Sequence, residues 1–325
     1  MRPRLQRMPP YVFEDWIMSA SSAAPHSAAY FGEERDYWWN DDYLELLARR
    51  LRLDQVARLA DIGCGIGHWC GLLARHVPAD AQIIGIDRDA TNVAGARARF
   101  ARLWPDRPAR FAEGDALALP LGDGTVDLAT CQTLLIHLAE PERAIAELMR
   151  VTRPGGQVVA VEPNNLFNRI AVSSLTPETP LDERITEVTA ALRLVEGRRR
   201  QGLGCEYLGD LLPGLFARAG LEDIRVWVAD CALPFVPPYA APEQQAQLAA
   251  HARWQAEGSG PYDRAVFAAD LAAGSADEAE IERSWQMMLA SAAAADQAIT
   301  DRRYHAAGGG LFYIVVGRVP ERPIR

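Results

Sequence analysis

Between residues 41 and 53 the apolar side chains Tyr43, Leu44, Leu47 and Leu51 recur three and four positions apart, which predicts an amphipathic helix. The apolar run 56–61 follows it and ends on Asp61, as a short buried strand would. Gly63, Gly65 and Gly67 come next and lead into a helix over 68–76. The rhythm then repeats. Strands are expected over 82–87, 109–111 and 125–131, with a helix over 90–103. Glu140 and Pro141 open another helix, with proline suited to its first turn. Pro154-Gly155-Gly156 turns the chain into a strand over 157–162. This alternation predicts an α/β fold, a parallel sheet with helices on both faces.

After Glu162 the pattern changes. A helix is expected over 182–196, with Asp182 as its N-cap and Ile185, Val188, Leu192 and Val195 on one face. A second runs over 207–219 and stops at Gly220, followed by a strand over 223–229. Residues 230–307 have no strand pattern and read as helices over 242–257, 261–273 and 278–299. The last begins with a capping-box spacing from Ser275 to Glu278 and carries Ile281, Trp285, Met288 and Ala292 on one side. Gly308-Gly309-Gly310 ends this stretch, and 311–319 is a final strand. The expected organisation is an N-terminal arm or cover, 1–40, with a short helix around 11–18. A core over 41–229 carries a helical elaboration at 163–205. A helical insert at 230–307 would form a substrate lid, and the last core strand and tail occupy 308–325.

The charge narrows the choice of partners. The formal net charge is −9, whereas nucleic-acid binders usually carry a basic surface. The cluster Arg198-Arg199-Arg200, close to Glu196, reads as the solvated end of a helix. No apolar run approaches the ~20 residues needed to span a bilayer, so no membrane partner is expected. Cys64, Cys70, Cys131, Cys205 and Cys231 make an odd set without a CxxC pair. That set suits neither a zinc ribbon nor a disulfide framework, and it fits a reducing cytoplasm. His76, His251 and His305 lack metal-ligand spacing, so no metal is expected.

The chemistry concentrates at strand ends. Asp61, Asp87, Asp115 and Glu162 each close an expected strand, and ligands of open α/β sheets bind at that edge. A dinucleotide fingerprint would need a glycine where His68 stands, and no Gly-Lys-Ser/Thr follows as in a P-loop. Asp87 lies twenty positions past Gly67, where an acid can accept hydrogen bonds from ribose hydroxyls. Asp61 could orient an ammonium group, and Asp115 could accept from an adenine amine.

These residues resemble class I S-adenosylmethionine-dependent methyltransferases of the type-11 and ubiquinone-biosynthesis branch. The run Leu59-Ala60-Asp61-Ile62-Gly63-Cys64-Gly65-Ile66-Gly67 is similar to their first motif, and Ile84-Gly85-Ile86-Asp87 to the second. Glu113-Gly114-Asp115-Ala116 resembles the third, and Val126 to Gln132 followed by Leu134-Leu135-Ile136-His137 the fourth. Arg153-Pro154-Gly155-Gly156 resembles the turn before the fifth strand. The likeness covers about 37–162 and the last two strands; Ala60, where the branch more often has leucine, is a mild departure.

The resemblance implies a Rossmann-like seven-stranded methyltransferase sheet with helices on both faces and a helical insert before the last strand. It implies S-adenosyl-L-methionine as cofactor. Gly63 and Gly65 would lie along its methionine part, with Asp61 and Gln132 nearby. Asp87 would serve the ribose and Asp115 with Ala116 the adenine, with Arg88 among the cofactor-binding residues. Trp38 belongs to an aromatic group with Tyr30, Phe31, Tyr37 and Trp39 that could cover the cofactor. His137 is the candidate general base, and Glu162 could act as a base or hold a cationic substrate. The expected activity is methyl transfer to a small molecule by a monomer or homodimer, with the O, N or C acceptor open. The alternatives are an RNA or protein methyltransferase and a non-catalytic cofactor-binding protein.

Overall fold

The computed structural model describes residues 35, 37–170, 172–230, 232–257 and 263–321. The helix expected around 11–18 and the side chains of Tyr30 and Phe31 lie outside the described residues. The chain divides into two compact units. One comprises 39–164, 204–231 and 311–325 and carries the sheet; the other comprises 1–38, 165–203 and 232–310.

The sheet unit begins with α1, Asp41–Leu51, which buries Tyr43, Leu44, Leu47 and Leu51 as its spacing predicts. Arg52 in the left-handed region stops it, and one 3₁₀ turn, Leu53–Gln55, leads into β1, Arg58–Ile62. Then follow α2, His68–Leu73; β2, Gln82–Asp87; α3, Ala90–Leu103; β3, Ala109–Glu113; and β4, Val126–Gln132. Next come α4, Pro141–Val151, and β5, Thr152–Pro163. The seven strands lie in the order β3-β2-β1-β4-β5-β7-β6, where β6 is Glu222–Val228 and β7 is Phe312–Arg318. Pairs among β1 to β5 are parallel, and β7 runs antiparallel to both β5 and β6.

The central strands are buried on both faces, which explains their continuous apolar runs. On one side Ile62, Ile84, Ala129, Val158 and Val315 pack with Ile145 and Leu148 of α4. Leu212 and Phe216 of α5, Leu208–Ala219, complete that layer. Gly220 ends α5 in the left-handed region, as expected.

One expected turn is different in the fold. Pro154-Gly155-Gly156 lies inside β5 rather than before it, because this segment finds partners at the chain's end. Gly155 N–H donates to Val319 O, and Val319 N–H donates to Gly156 O, each at 2.9 Å.

The other unit is helical. Its described elements include α6, Asn165–Arg169; α7, Leu181–Arg200; α8, Pro242–Glu257; α9, Arg264–Ala273; and α10, Glu278–Thr300. Pro180, not Asp182, occupies the N-cap of α7, and Asp182 sits in the first turn with Glu183. The capping box of α10 falls two residues later than its expected start. Asp277 accepts from Glu280 N–H at 2.8 Å, and Glu280 accepts from Asp277 N–H at 3.1 Å. Asp263 caps α9 by accepting from the N–H groups of Ala265 and Val266. No helix among the described residues is long and apolar enough to cross a membrane.

The apolar face expected on α7 divides. Val195 is buried, whereas Ile185 and Leu192 remain 54% and 50% exposed. Burial instead follows Ala191, Leu194, Val195, Gly197 and Arg198. Gly197 is what permits this: a Cβ there would overlap the carbonyl oxygen of Asp270 on α9. The helices therefore meet closely, and Arg198 donates to Asp270 Oδ2 at 3.3 Å with both side chains 2% exposed. Gln201 donates to the other Asp270 oxygen at 2.9 Å. Removing one member of a buried ion pair strands the other charge and typically costs about 3–5 kcal/mol. Arg198→Ala should therefore lower unfolding stability in urea by about that amount, whereas a loss under about 1 kcal/mol would mean that the pair is solvated.

Candidate functional site

β1 delivers the glycine turn to the carboxyl edge of the sheet. It does so where the strand order reverses, with β2 and β3 on one side and β4 on the other. A cleft for ligands opens at such a point. Gly63, Gly65 and Gly67 all adopt left-handed φ, at 68°, 52° and 82°. Residues with a Cβ are strained there. At Gly63 a Cβ would also lie 2.8 Å from Leu134 Cδ1.

Two buried carboxylates hold this turn. The N–H groups of Gly63 and Cys64 donate to Ile86 O at 2.7 and 3.0 Å. Gly65 N–H donates to Asp87 Oδ2 at 2.8 Å. Asp87 Oδ1 accepts from Asp89 N–H at 3.0 Å and from Asn92 Nδ2 at 3.2 Å. Asp61 Oδ2 accepts from Cys70 N–H, in the first turn of α2, at 3.1 Å. Asp61 and Asp87 are 1% and 3% exposed. The register sets Asp61 opposite Gly85 on β2 and Thr130 on β4.

An aromatic pair backs the turn. Trp69 Nε1 donates to Thr130 Oγ1 at 2.9 Å, and the Trp39 ring lies 4.9 Å from that of Trp69. Cys64 and Cys70 are buried beside the acids. Burial first, and the neighbouring carboxylates second, push both thiols far above their ordinary range. They stay protonated and are not nucleophiles at neutral pH.

Apart from Trp38, the remaining expected residues lie at or just after the carboxyl ends of strands. Asp115 is exposed, and its Oδ1 accepts from Leu117 N–H at 2.9 Å, with half-buried Ala116 beside it. Arg88 is exposed after β2. Gln132 is buried at the end of β4, opposite Val161 of β5. His137 closes the 3₁₀ turn Leu135–His137 and is exposed. Glu162 is 0% exposed, and its oxygens accept from the N–H groups of Leu134 at 3.0 Å, Leu135 at 2.7 Å and Ile136 at 3.4 Å. Burial pushes its carboxyl up to about 7, against the opposing pull of those three N–H bonds. Trp38 falls in the helical unit, buried, with the Arg35 guanidinium 5.0 Å from its ring.

Several participants were not legible in the sequence. Asn92 is five positions beyond Asp87, in the first turn of α3. Leu134 stands in the fourth of the resembling motifs, but its packing on Gly63 left no signal, because that contact spans 71 positions of chain. Among the described residues no group of three His, Cys, Asp or Glu side chains is placed to hold a metal.

Known proteins share this arrangement of motifs. Residues 60–160 match the type-11 model described as a methyltransferase domain. An uncharacterized 37.1 kDa protein in transposon TN4556 of Streptomyces fradiae is 44% identical over 144 residues, which is 44% of this chain and 41% of that protein. A probable S-adenosylmethionine-dependent methyltransferase of Mycolicibacterium smegmatis is 30% identical over 192 residues, covering 59% of this chain and 67% of that one. The O-methyltransferase cnsE of Penicillium expansum is 30% identical over 139 residues, 43% of this chain and 47% of its own. The chain thus spans between 41% and 67% of the length of these relatives. It belongs to the S-adenosylmethionine-dependent methyltransferases.

The residues fit that cofactor. A turn whose backbone tolerates close approach is flanked by carboxylates at the ends of β1 and β2 and by Asp115 after β3. Asp87→Ala should release the Gly65 N–H and weaken S-adenosylhomocysteine binding by at least about tenfold, or about 1.4 kcal/mol, in calorimetry. An unchanged Kd would remove Asp87 from the site.

Proposed function

We propose that this protein transfers a methyl group from S-adenosylmethionine to an oxygen, nitrogen or carbon atom of a small-molecule metabolite. The observation that carries the reading is the left-handed glycine turn, tied to Asp87 at the point where the strand order reverses. When bound, the cofactor would supply an electrophilic methyl on a sulfonium; the new bond would be made by a lone pair on oxygen or nitrogen, or by a carbanion or π pair on carbon, with the S–CH3 pair left on sulfur. The protein's task is then mainly to position and to exclude water, which can supply a large share of the acceleration.

The residues divide that task. Gly63 and Gly65 let the backbone lie against the methionine part, with Asp61 towards its ammonium group and Gln132 nearby. A carboxylate has about four acceptor positions, and Asp87 already uses three within the protein. We therefore assign it one ribose hydroxyl, with Arg88 at the rim. Asp115 has Oδ2 for the adenine amine, and Ala116 gives that ring a small neighbour. Trp38 is the proposed aromatic cover. His137, exposed at the end of its turn, is the proposed acceptor of the substrate's proton.

Three observations favour a small acceptor over a macromolecule. The formal charge is −9, which disfavours a nucleic-acid substrate. A relative from Synechocystis, 31% identical over 116 residues (36% of this chain and 49% of that one), bears the name of a 2-phytyl-1,4-naphtoquinone methyltransferase, a small acceptor. The helical unit contains a cavity of about 400 Å³, lined in part by Leu175, Val188, Met287, Tyr304, Glu183 and Glu187. That volume is within the range of small-ligand sites. The proposed setting is a reducing cytoplasm, supported by four described cysteines that are all free thiols. A monomer or homodimer would suffice.

The test is incubation with methyl-labelled S-adenosylmethionine and, separately, a small-molecule extract, total RNA and a protein pool. The label should enter the small-molecule fraction. Incorporation into RNA or protein alone would overturn the substrate class, and cofactor binding without transfer to any fraction would favour a non-catalytic role.

A further inference from the structure

Glu162 sits in an unusual position for a group expected to do chemistry. It is fully buried at the end of β5. Its oxygens are turned onto the backbone of the segment after β4. They take the N–H groups of Leu134, Leu135 and Ile136, three consecutive donors that enter a 3₁₀ turn without intrahelical partners. The other side of that turn is also tied down: Ile136 O accepts from Cys205 N–H at 2.9 Å. A Cβ on Gly204 would overlap that same oxygen, so the backbone passes as closely as it can.

What the turn presents is Leu134. Its side chain fills the space that a Cβ on Gly63 would occupy, with Cδ1, Cβ and Cδ2 all within 3.2 Å of that position. The path therefore runs from Glu162 to the Leu134 backbone, and from the Leu134 side chain to the first glycine of the cofactor turn. Every member lies in the sheet unit.

We propose that Glu162 is a positioning residue for the cofactor. Its carboxylate clamps the 134–136 turn and so holds Leu134 as the wedge that sets the glycine loop for S-adenosylmethionine. This rests on the cofactor reading above and adds a residue that acts without touching the ligand.

The clamp has a protonation state. An anion offers acceptor pairs on both oxygens to all three N–H groups, whereas protonation turns one oxygen into a donor facing Ile136 N–H. Burial sets this change near pH 7, as the carboxyl is pushed up to about 7 from an ordinary 4.5. The ionisable groups on the neighbouring elements are Cys131 on β4, His137 at the end of the turn, Tyr313 on β7 and Asp210 on α5. Burial, and then the Glu162 charge, holds the Cys131 thiol well above its usual range. Tyr313 donates to Asp210 at 2.8 Å and is likewise raised.

The pH dependences of stability and of affinity have opposite signs. The folded carboxyl holds its proton more tightly than the unfolded one. Its contribution to fold stability is therefore complete below about pH 4.5 and is lost as pH rises through about 7. Cofactor affinity should do the reverse and rise as the clamp ionises. A residue acting through fold stability alone would move both the same way.

The experiment is calorimetric titration of the full chain with S-adenosylhomocysteine from pH 6 to 8, on the wild type, Glu162→Gln and Leu134→Ala. Wild-type affinity should rise about three- to tenfold over that range, which is the fold-change from ionising one coupled group. Glu162→Gln should bind about as weakly at pH 8 as the wild type does at pH 6, with little slope. Leu134→Ala keeps the carboxylate but removes the wedge, so it too should lose the slope; it serves alone if Glu162→Gln does not fold. A wild-type slope that persists in Leu134→Ala or Glu162→Gln, or is absent from the wild type, would overturn the proposal while leaving the cofactor reading intact. Failure of the wild type to bind at any pH would overturn both.

Discussion

The hydrogen bond from Gly65 N–H to the buried Asp87 carboxylate joins the end of β1 to the end of β2. Much of the site follows from it. With one oxygen fixed on Gly65, the other collects Asp89 N–H and Asn92, which anchors the start of α3 at the same edge. A backbone that must reach Asp87 from β1 has to turn sharply, and three left-handed glycines permit the turn. Asp61 then ties the far side of the turn to the first turn of α2. Low solvent access strengthens these bonds and makes the loss of any one costly.

Much of the sheet was legible in the sequence, because its central strands are buried on both faces and carry unbroken apolar runs. β2 and α3 have the residues that periodicity predicts. The acids at strand ends and the glycine spacing located the site, although that spacing alone excluded rivals more than it identified a ligand. Errors arose where a local signal met a tertiary partner. Pro154-Gly155-Gly156 has the composition of a turn, yet it pairs with the chain's end and joins β5. The apolar spacing on α7 suggested one continuous face. The close approach at Gly197 selects a different face for burial and leaves Ile185 and Leu192 to solvent. A contact of that kind is set by which carbonyl lies opposite a missing side chain, and periodicity does not carry that information.

The same distinction separates the visible from the hidden parts of the site. Asp115, two positions past β3, was findable through the motif it resembles, and Asp61 and Asp87 because their charge is unusual at the end of an apolar strand. Glu162 was findable for that reason too, but its direction was not. Only the geometry shows its oxygens on three backbone N–H groups. Leu134 was visible only as part of a motif; the space it fills against Gly63 was not. The helical unit has its own cores, one around Phe235, Tyr239 and Tyr304 and another around Leu194, Phe267 and Leu271.

The most direct test of the central claim is amide hydrogen exchange with and without S-adenosylhomocysteine, read residue by residue across the chain. The cofactor cradle described here predicts added protection at 63–69, at the edge around 87–89 and 115–117, and at the turn 134–136. Protection confined to the helical unit, with the glycine turn unchanged, would contradict it.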